Sequence, residues 1–166
     1  MNIVGTRIDG RLVHGQVANL WIPKLQVERV IVIDEKVANS DIEKSGLRLA
    51  TPMGVKLSVL SPQRAAEQLV GGRYGNQRLF ILAKGPQAFA ELVNNGVKLD
   101  ALNVGNMSKN DQTQAMTNSI NITGEDYEVF QELAQQGVKL TAQMVPGTKE
   151  ESFLEIMKKF NKEGNN

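Results

Sequence analysis

The amino-acid sequence predicts an α/β fold built on an open parallel sheet of seven strands with helices on both faces. Three observations carry it. Seven short apolar runs rich in β-branched residues recur along the chain. Segments of helical periodicity separate most of them. The runs are apolar on consecutive residues instead of alternating, which is what burial on both faces of a parallel sheet requires. Strand and helix in alternation then layer into an α/β sandwich.

The elements follow in order. The first strand, Ile3 to Ile8, leads through a segment rich in arginine and glycine into a helical pattern at Val17, Leu20 and Trp21. Arg29 to Asp34 is the second strand, and Ser40 with Glu43 forms a capping box that opens a helix. After the third strand, Val55 to Leu60, Ser61 places a cap before Pro62 at the first helical position. Gly71-Gly72-Arg73-Tyr74-Gly75 is a turn before the fourth strand, Arg78 to Ala83. Leu99 to Val104, Ser119 to Ile122 and Lys139 to Val145 complete the set. Thr148 with Glu151 predicts the start of a last helix, whose apolar stripe of Phe153, Ile156, Met157 and Phe160 docks on the sheet. The tetrapeptide Gly-Val-Lys-Leu begins at Gly54, Gly96 and Gly137. We read it as a left-handed glycine ending a helix and a valine opening a strand, not as a structural repeat. With 166 residues and no low-complexity linker, residues 1–166 are expected to form one domain, with a polar, frayed tail over residues 161–166.

Composition excludes several functions. The 19 basic and 18 acidic residues leave a formal charge of +1, so no overall field recruits nucleic acid or an anionic membrane surface. The absence of cysteine removes disulfides, thiolate metal sites and cysteine nucleophiles. No run is long and apolar enough for a membrane helix, and Asp9 interrupts the start before a signal-peptide apolar region forms. A cytoplasmic protein is expected, reaching a membrane only through partners. No Walker loop or complete dinucleotide fingerprint is present, and neither a metal nor a cofactor is predicted.

Ligands of open parallel sheets bind beyond the carboxyl ends of the strands. The loop after the first strand packs Arg7, Asp9, Gly10, Arg11, Gly15 and the chain's single histidine, His14, into a few residues. Glycine lets backbone amides approach a ligand, and the helix start aims free N–H groups at it, so the loop has the parts of an anion site. Arg11 and Arg7 add bidentate donors matched to a phosphoryl group. Their charge disfavours imidazolium and leaves His14 a lone pair for attack on phosphorus. Asp9 has three open roles: opposing that cationic setting, fixing the imidazole tautomer, or holding an arginine in place.

The string Arg7-x-Asp9-x-Arg11-Leu12-x-His14-Gly15-Gln16-Val17 resembles the active-site loop of the mannose, fructose and sorbose family of phosphotransferase-system IIB proteins. The resemblance continues through Trp21, Arg29-Val-Ile-Val-Ile-Asp34, Val37-Ala38-Asn39, Ala50-Thr-Pro52-x-Gly54-Val-Lys56 and Asn103-Val-Gly105-Asn106-Met107. It implies a single open, mostly parallel seven-stranded sheet with helices on both faces and one antiparallel strand. It also implies a cytoplasmic phosphocarrier. His14 would accept phosphate at Nδ1 from a phosphohistidine on a IIA protein or domain and donate it to sugar carried by membrane IIC and IID subunits. Arg11, Arg7, Asp9 and Gly10, with backbone amides of Leu12, Val13 and Gly15, would surround the phosphate. Asn106, Lys109 and Lys84 are candidates for a second wall. The sugar, and whether the protein forms a homo-oligomer, are not legible.

Two other readings use the same fold. A nucleotide- or flavin-binding module without phosphocarrier activity is compatible with a doubly wound sheet, but no glycine fingerprint accompanies it. A phosphoglycerate-mutase-type enzyme needs arginine before its histidine and a second histidine, whereas Val13 precedes His14 and no other histidine exists.

Overall fold

The computed structural model describes residues 1–164. Strands β1 (Asn2–Asp9), β2 (Arg29–Ile33), β3 (Lys56–Leu60), β4 (Arg78–Ala83), β5 (Ala101–Asn106), β8 (Lys139–Ala142) and β9 (Glu151–Ser152) form one seven-stranded sheet. Their order is β3-β2-β4-β1-β5-β8-β9. All pairs are parallel except β8 with β9, where Thr141 faces Ser152. Two further short strands, β6 (Gln114–Ala115) and β7 (Asn121–Ile122), form a separate antiparallel pair.

The helical elements are α1, which is π-helical over Val17–Trp21 and α-helical over Ile22–Leu25, then α2 (Glu35–Ala38), α3 (Asp41–Ala50), α4 (Pro62–Val70), α5 (Pro86–Asn94), α6 (Gly124–Gln135) and α7 (Phe153–Ile156). Successive strand residues serve opposite faces. Val30 and Val32 join α1, α2 and α3 through Trp21, Val37 and Leu47. Ile31 and Ile33 belong to the other core, built against α4, α5, α6 and α7 by Leu69, Phe89, Phe130 and Phe153. The chain leaves β1 toward one edge by way of α1, and later crosses from β4 past β1 to β5 toward the other. The carboxyl end of β1 is therefore the point where the winding reverses, the place where an open α/β sheet leaves a crevice.

Local signals explain most boundaries. Asp34, expected to end a strand, instead caps α2 by accepting from the Val37 N–H at 2.9 Å. Ser40 accepts from Glu43 N–H and Ser61 from Arg64 N–H, as the sequence predicts. The glycines that open the three Gly-Val-Lys-Leu segments have φ of 85°, 94° and 90°, the left-handed conformation that ends each preceding helix or turn.

Two expectations fail at the carboxyl edge. Ser119 to Ile122 does not supply a main-sheet strand; Ile120 makes a single parallel bridge to Met107 just past β5, Ile122 lies in the small β6–β7 pair, and both side chains are buried. The seventh strand is β9, two exposed residues with no apolar signal. For the same reason Thr148 and Glu151 do not cap the last helix. Glu151 lies in β9, and Ser152 is the cap, accepting from Glu155 N–H. The predicted apolar stripe nevertheless docks: Phe153 and Met157 are buried, and Phe160 stacks on Tyr127 at 4.5 Å between ring centres. Asn161, where fraying was expected to begin, exchanges hydrogen bonds with Gln114, and Lys162 pairs with Glu128. Asn165 and Asn166 lie outside the described residues.

Candidate active site

The last residue of β1 organises the site. The Asp9 side chain is fully buried and accepts from four sources. Arg7 reaches Oδ2 through Nε at 3.3 Å and Nη2 at 3.2 Å. Arg11 reaches Oδ1 with its backbone N–H at 3.0 Å and Nε at 3.1 Å, and Oδ2 with Nη2 at 3.2 Å. His14 places Nε2 3.0 Å from Oδ2. Burial is the largest single influence on this carboxyl and would raise its pKa. Hydrogen bonds from the Arg11 side chain, His14 and the Arg11 N–H, with the Arg7 charge, outweigh burial and hold it below the ordinary carboxylate value. Asp9 is therefore ionised and can only accept, so the histidine Nε2 carries the shared hydrogen and Nδ1 keeps its lone pair in the neutral ring. Of the roles left open by the sequence, Asp9 has two: it fixes the tautomer and it holds both arginines. The charged group bonded to the imidazole is this carboxylate, not a guanidinium.

Arg7 differs from its expected position in the phosphate site. Its side chain is buried, and all five N–H donors are engaged by protein. Besides the two bonds to Asp9, Nη1 donates to Asn103 Oδ1 at 2.6 Å and to Gln143 O at 2.8 Å, and Nη2 donates to Met144 O at 3.0 Å. Its guanidinium lies 5.0 Å from the Trp21 ring centre, and Trp21 itself donates to Met144 O at 3.1 Å. Burial lowers the Arg7 pKa, with the Asp9 charge and hydrogen bond opposing the shift and the Arg11 charge adding to it. Arg7 has no donor left for a phosphoryl group; it anchors Asp9 from behind. Room for it comes from Gly105, where β5 shifts register against β1: a Cβ there would lie 2.1 Å from Arg7 Cζ.

Arg11 has the opposite character. Its side chain is 40% exposed, Nη2 also donates to Gln16 Oε1 at 3.0 Å, and Nη1 has no protein partner among the described residues. The loop carrying it is a tight turn in which Leu12 N–H donates to Asp9 O at 2.9 Å, with Leu12 in the left-handed region at φ 59°. Such a conformation costs a non-glycine residue about 1–2 kcal/mol, offset here by burial of the Leu12 and Val13 side chains in the α1-side core. Gly10 N–H is taken by Asn106 O at 2.9 Å, and Arg11 and Leu12 N–H by Asp9. The N–H groups of Val13, His14 and Gly15 make no hydrogen bond to protein among the described residues, and a Cβ at Gly15 would meet open space. The imidazole is 19% exposed.

The second wall assembles only in part. Asn106 lies beside Gly10 through that backbone bond. Lys84 and Lys109 are exposed and make no hydrogen bond or ion pair to the loop. Sequence reasoning did not identify Asn103, Gln143 and Met144, which hold Arg7. A polar side chain inside an otherwise apolar strand was the available signal for Asn103, which pairs with Arg7 in register, and Gln143 and Met144 follow β8 beside the carboxyl end of β5. The strand expected to reach Val145 ends at Ala142, and that shortening frees the carbonyls of Gln143 and Met144 to cap the guanidinium. Among the described residues, no group of three or more histidine or acidic side chains could hold a metal ion.

Residues 3–166 match the family model described as the PTS system sorbose subfamily IIB component. The chain belongs to this family. It is 31% identical to the fructose-specific EIIB component of Bacillus subtilis over 162 residues, covering 98% of this chain and 99% of that one. It is 30% identical to the mannose-specific EIIAB component of Escherichia coli over 94% of this chain, but spans only 48% of that protein. The solved IIBSor domain of the sorbose permease from Klebsiella pneumoniae superimposes with a TM-score of 0.93 at 29% identity, over 98% of this chain and 99% of that one. As a sorbose-subfamily IIB component the protein is a phosphocarrier in sugar uptake and a phosphotransferase. No helix among its described residues is long and apolar enough to cross a membrane.

Two predictions follow from the buried cluster. Gly105→Ala forces Arg7 off Asp9, and losing one partner of a buried ion pair costs about 3 kcal/mol or more; urea unfolding measures it, and a loss within about 0.5 kcal/mol contradicts the packing. The second concerns acid. A depressed carboxyl contributes stability that is complete above its unfolded value near 3.8 and is lost as pH falls from there through the lower folded value. The stability gap between wild type and Asp9→Asn, followed by urea unfolding, is expected to narrow as pH falls below about 4.

Proposed function

We infer that His14 is the residue that carries the phosphoryl group, and that it does so on Nδ1. The observation that carries this reading is the Nε2···Asp9 Oδ2 contact of 3.0 Å. Asp9 orients the ring, keeps the hydrogen on Nε2, and stabilises the positive charge that develops when Nδ1 bonds to phosphorus, the task a buried carboxylate performs beside a nucleophile-activating histidine. The Nδ1–P bond forms as the P–N bond of a donor phosphohistidine breaks, and the donor imidazole leaves with its electron pair. A sugar hydroxyl oxygen then bonds to phosphorus and gives its proton to solvent, while the Nδ1–P bond breaks and its electron pair returns to the His14 imidazole. No nucleotide enters either step.

Arg11 is the phosphate-binding side chain of this reading. Its guanidinium is steered by Asp9 and Gln16 yet keeps Nη1 uncommitted. The unpaired N–H groups of Val13, His14 and Gly15, at the start of α1, are the backbone half of the cradle, and the open space at Gly15 leaves access to it. Arg7 acts through Asp9. Catalysis is then positioning plus preorganised donors, with little covalent work for other side chains.

The donor is a IIA protein or domain, a reading supported by the mannose-specific EIIAB relative, in which the matched region is about half of the protein. The acceptor sugar is presented by membrane IIC and IID subunits, and the protein is cytoplasmic, held at the membrane by those partners. The chain works as one domain over residues 1–166. Relatives named for fructose, sorbose and mannose are similarly distant from it, so the sugar is left open.

Phosphoryl transfer from a phosphorylated IIA donor, followed by mass spectrometry and acid lability, tests the assignment. His14→Ala is expected to take up no phosphate while remaining folded. Arg11→Met, which loses one charge-assisted bond worth about 1.5–3 kcal/mol, is expected to slow transfer roughly ten- to a hundredfold. Phosphate retained in His14→Ala overturns the assignment.

A further inference from the structure

A second cluster of arginines lies away from the phosphocarrier loop and takes no part in its chemistry. Arg29 opens β2, Arg64 stands in the first turn of α4, and Arg73 follows that helix in the glycine-rich turn. All three line one recess of about 430 Å³ at the β3 edge of the sheet, on the face opposite α1. β3 is separated from β1 by β2 and β4, so the recess and the His14 loop are distinct.

No aspartate or glutamate lines the recess. Among the described residues, none of the three guanidinium groups has a carboxylate within ion-pair distance. Three unneutralised like charges around one concavity repel each other, and in a protein of almost zero net charge the field is local. Arg29 is also fixed in place. Its Nε donates to Gln77 Oε1 at 2.8 Å, its Nη1 to Ser58 Oγ at 2.8 Å, and its guanidinium stacks 4.9 Å from the Tyr74 ring centre.

Those bonds determine what remains for a ligand. Arginine only donates, so Gln77 must present its oxygen and Ser58 a lone pair to it. The Gln77 amide N–H groups and the Ser58 hydroxyl hydrogen are then left over as donors. Tyr74 donates its hydroxyl to Gln68 Oε1, which leaves the Gln68 amide N–H groups over as well. Among the described residues the Nη2 of Arg29 and the whole guanidinium groups of Arg64 and Arg73 are uncommitted. The side chains keep a few oxygen lone pairs, but every charged group lining the recess is a donor, and its charge is positive. Planar forks around a fixed centre match a phosphoryl group. The volume lies within the range of small-molecule sites, about 300–1,000 Å³, and leaves room beside the phosphate for the hydroxylated group that bears it.

We propose that this recess binds a phosphate ester anion, separately from the phosphoryl group carried in the transfer reaction. A soluble sugar phosphate and an anionic phospholipid headgroup both supply that chemistry, and the test separates them. Arg64 and Arg73 are exposed, and among the described residues their side chains make no hydrogen bond or ion pair, so Arg64→Gln with Arg73→Gln, which keeps the backbone bonds, leaves the fold intact.

Amide NMR shifts of the full chain are followed on titration with glucose 6-phosphate at constant ionic strength, with chloride as control. In parallel, flotation is measured with phosphatidylglycerol vesicles against phosphatidylcholine vesicles. The result expected for a soluble ester is saturable shifts at Ser58, Tyr74 and Gln77, with affinity at least tenfold weaker in the double variant. Flotation on phosphatidylglycerol that is lost in the same variant, without saturable shifts from the sugar phosphate, also supports the site and assigns its source to lipid. Binding to neither, shifts reproduced by chloride, or binding indifferent to the two substitutions overturns the proposal.

Discussion

The structure of the loop that carries His14 depends on one buried carboxylate. Asp9 sits at the end of the central strand with no solvent exposure, and an isolated charge there would be untenable. Its neutralisation dictates the neighbourhood. Arg7 supports it from inside the sheet, Arg11 from the loop, and His14 closes the shell from the solvent side. Each donor that Asp9 recruits is placed to within hydrogen-bond tolerance, so the requirement to satisfy one anion also sets the orientation of the His14 imidazole.

That arrangement carries its own demands. Arg7 must be satisfied at all five donors, which recruits Asn103 from within β5 and the carbonyls of Gln143 and Met144 from just beyond the end of β8. It must also fit, which makes a side chain at position 105 intolerable. The π-helical turn over Val17–Trp21 belongs to the same construction, since it ends at the tryptophan that covers the guanidinium and ties back to Met144. A buried ion pair is seldom the most stabilising way to fill a core. Here its value lies in precision at the place where the chain reverses its winding and the open sheet leaves a crevice.

The sheet was legible because its central strands carry the signal that burial demands. Ile31 and Val32 face opposite sides and both are inaccessible, so consecutive apolar residues meant a parallel, two-sided strand. β9 was not legible, because a two-residue exposed edge strand buries nothing and leaves no pattern. Ser119 to Ile122 misled for the converse reason: its isoleucines are core residues, yet they reach the core from a single bridge to Met107 and a short hairpin, not from a main-sheet strand. In the site, His14 and Arg11 could be picked out from a loop dense in charge. Arg7 could not be separated from Arg11 by residue type alone. The distinction lay in position, since Arg7 is inside the strand, between two residues whose neighbours on adjacent strands are buried, whereas Arg11 is beyond its end. The roles of Asp9 required coordinates, because sequence proximity alone does not show that Arg7, Arg11 and His14 all turn their donors onto it.

The central claim is that Asp9 sets the histidine tautomer and so selects the atom that carries phosphate. The most direct measurement is long-range ¹H–¹⁵N correlation of the His14 ring at neutral to mildly alkaline pH, repeated after phosphorylation with phosphorus coupling to the ring nitrogens. The account predicts the hydrogen on Nε2 before transfer and a phosphorus–nitrogen bond at Nδ1 after it. A hydrogen on Nδ1 in the resting protein, or phosphate on Nε2, would contradict it.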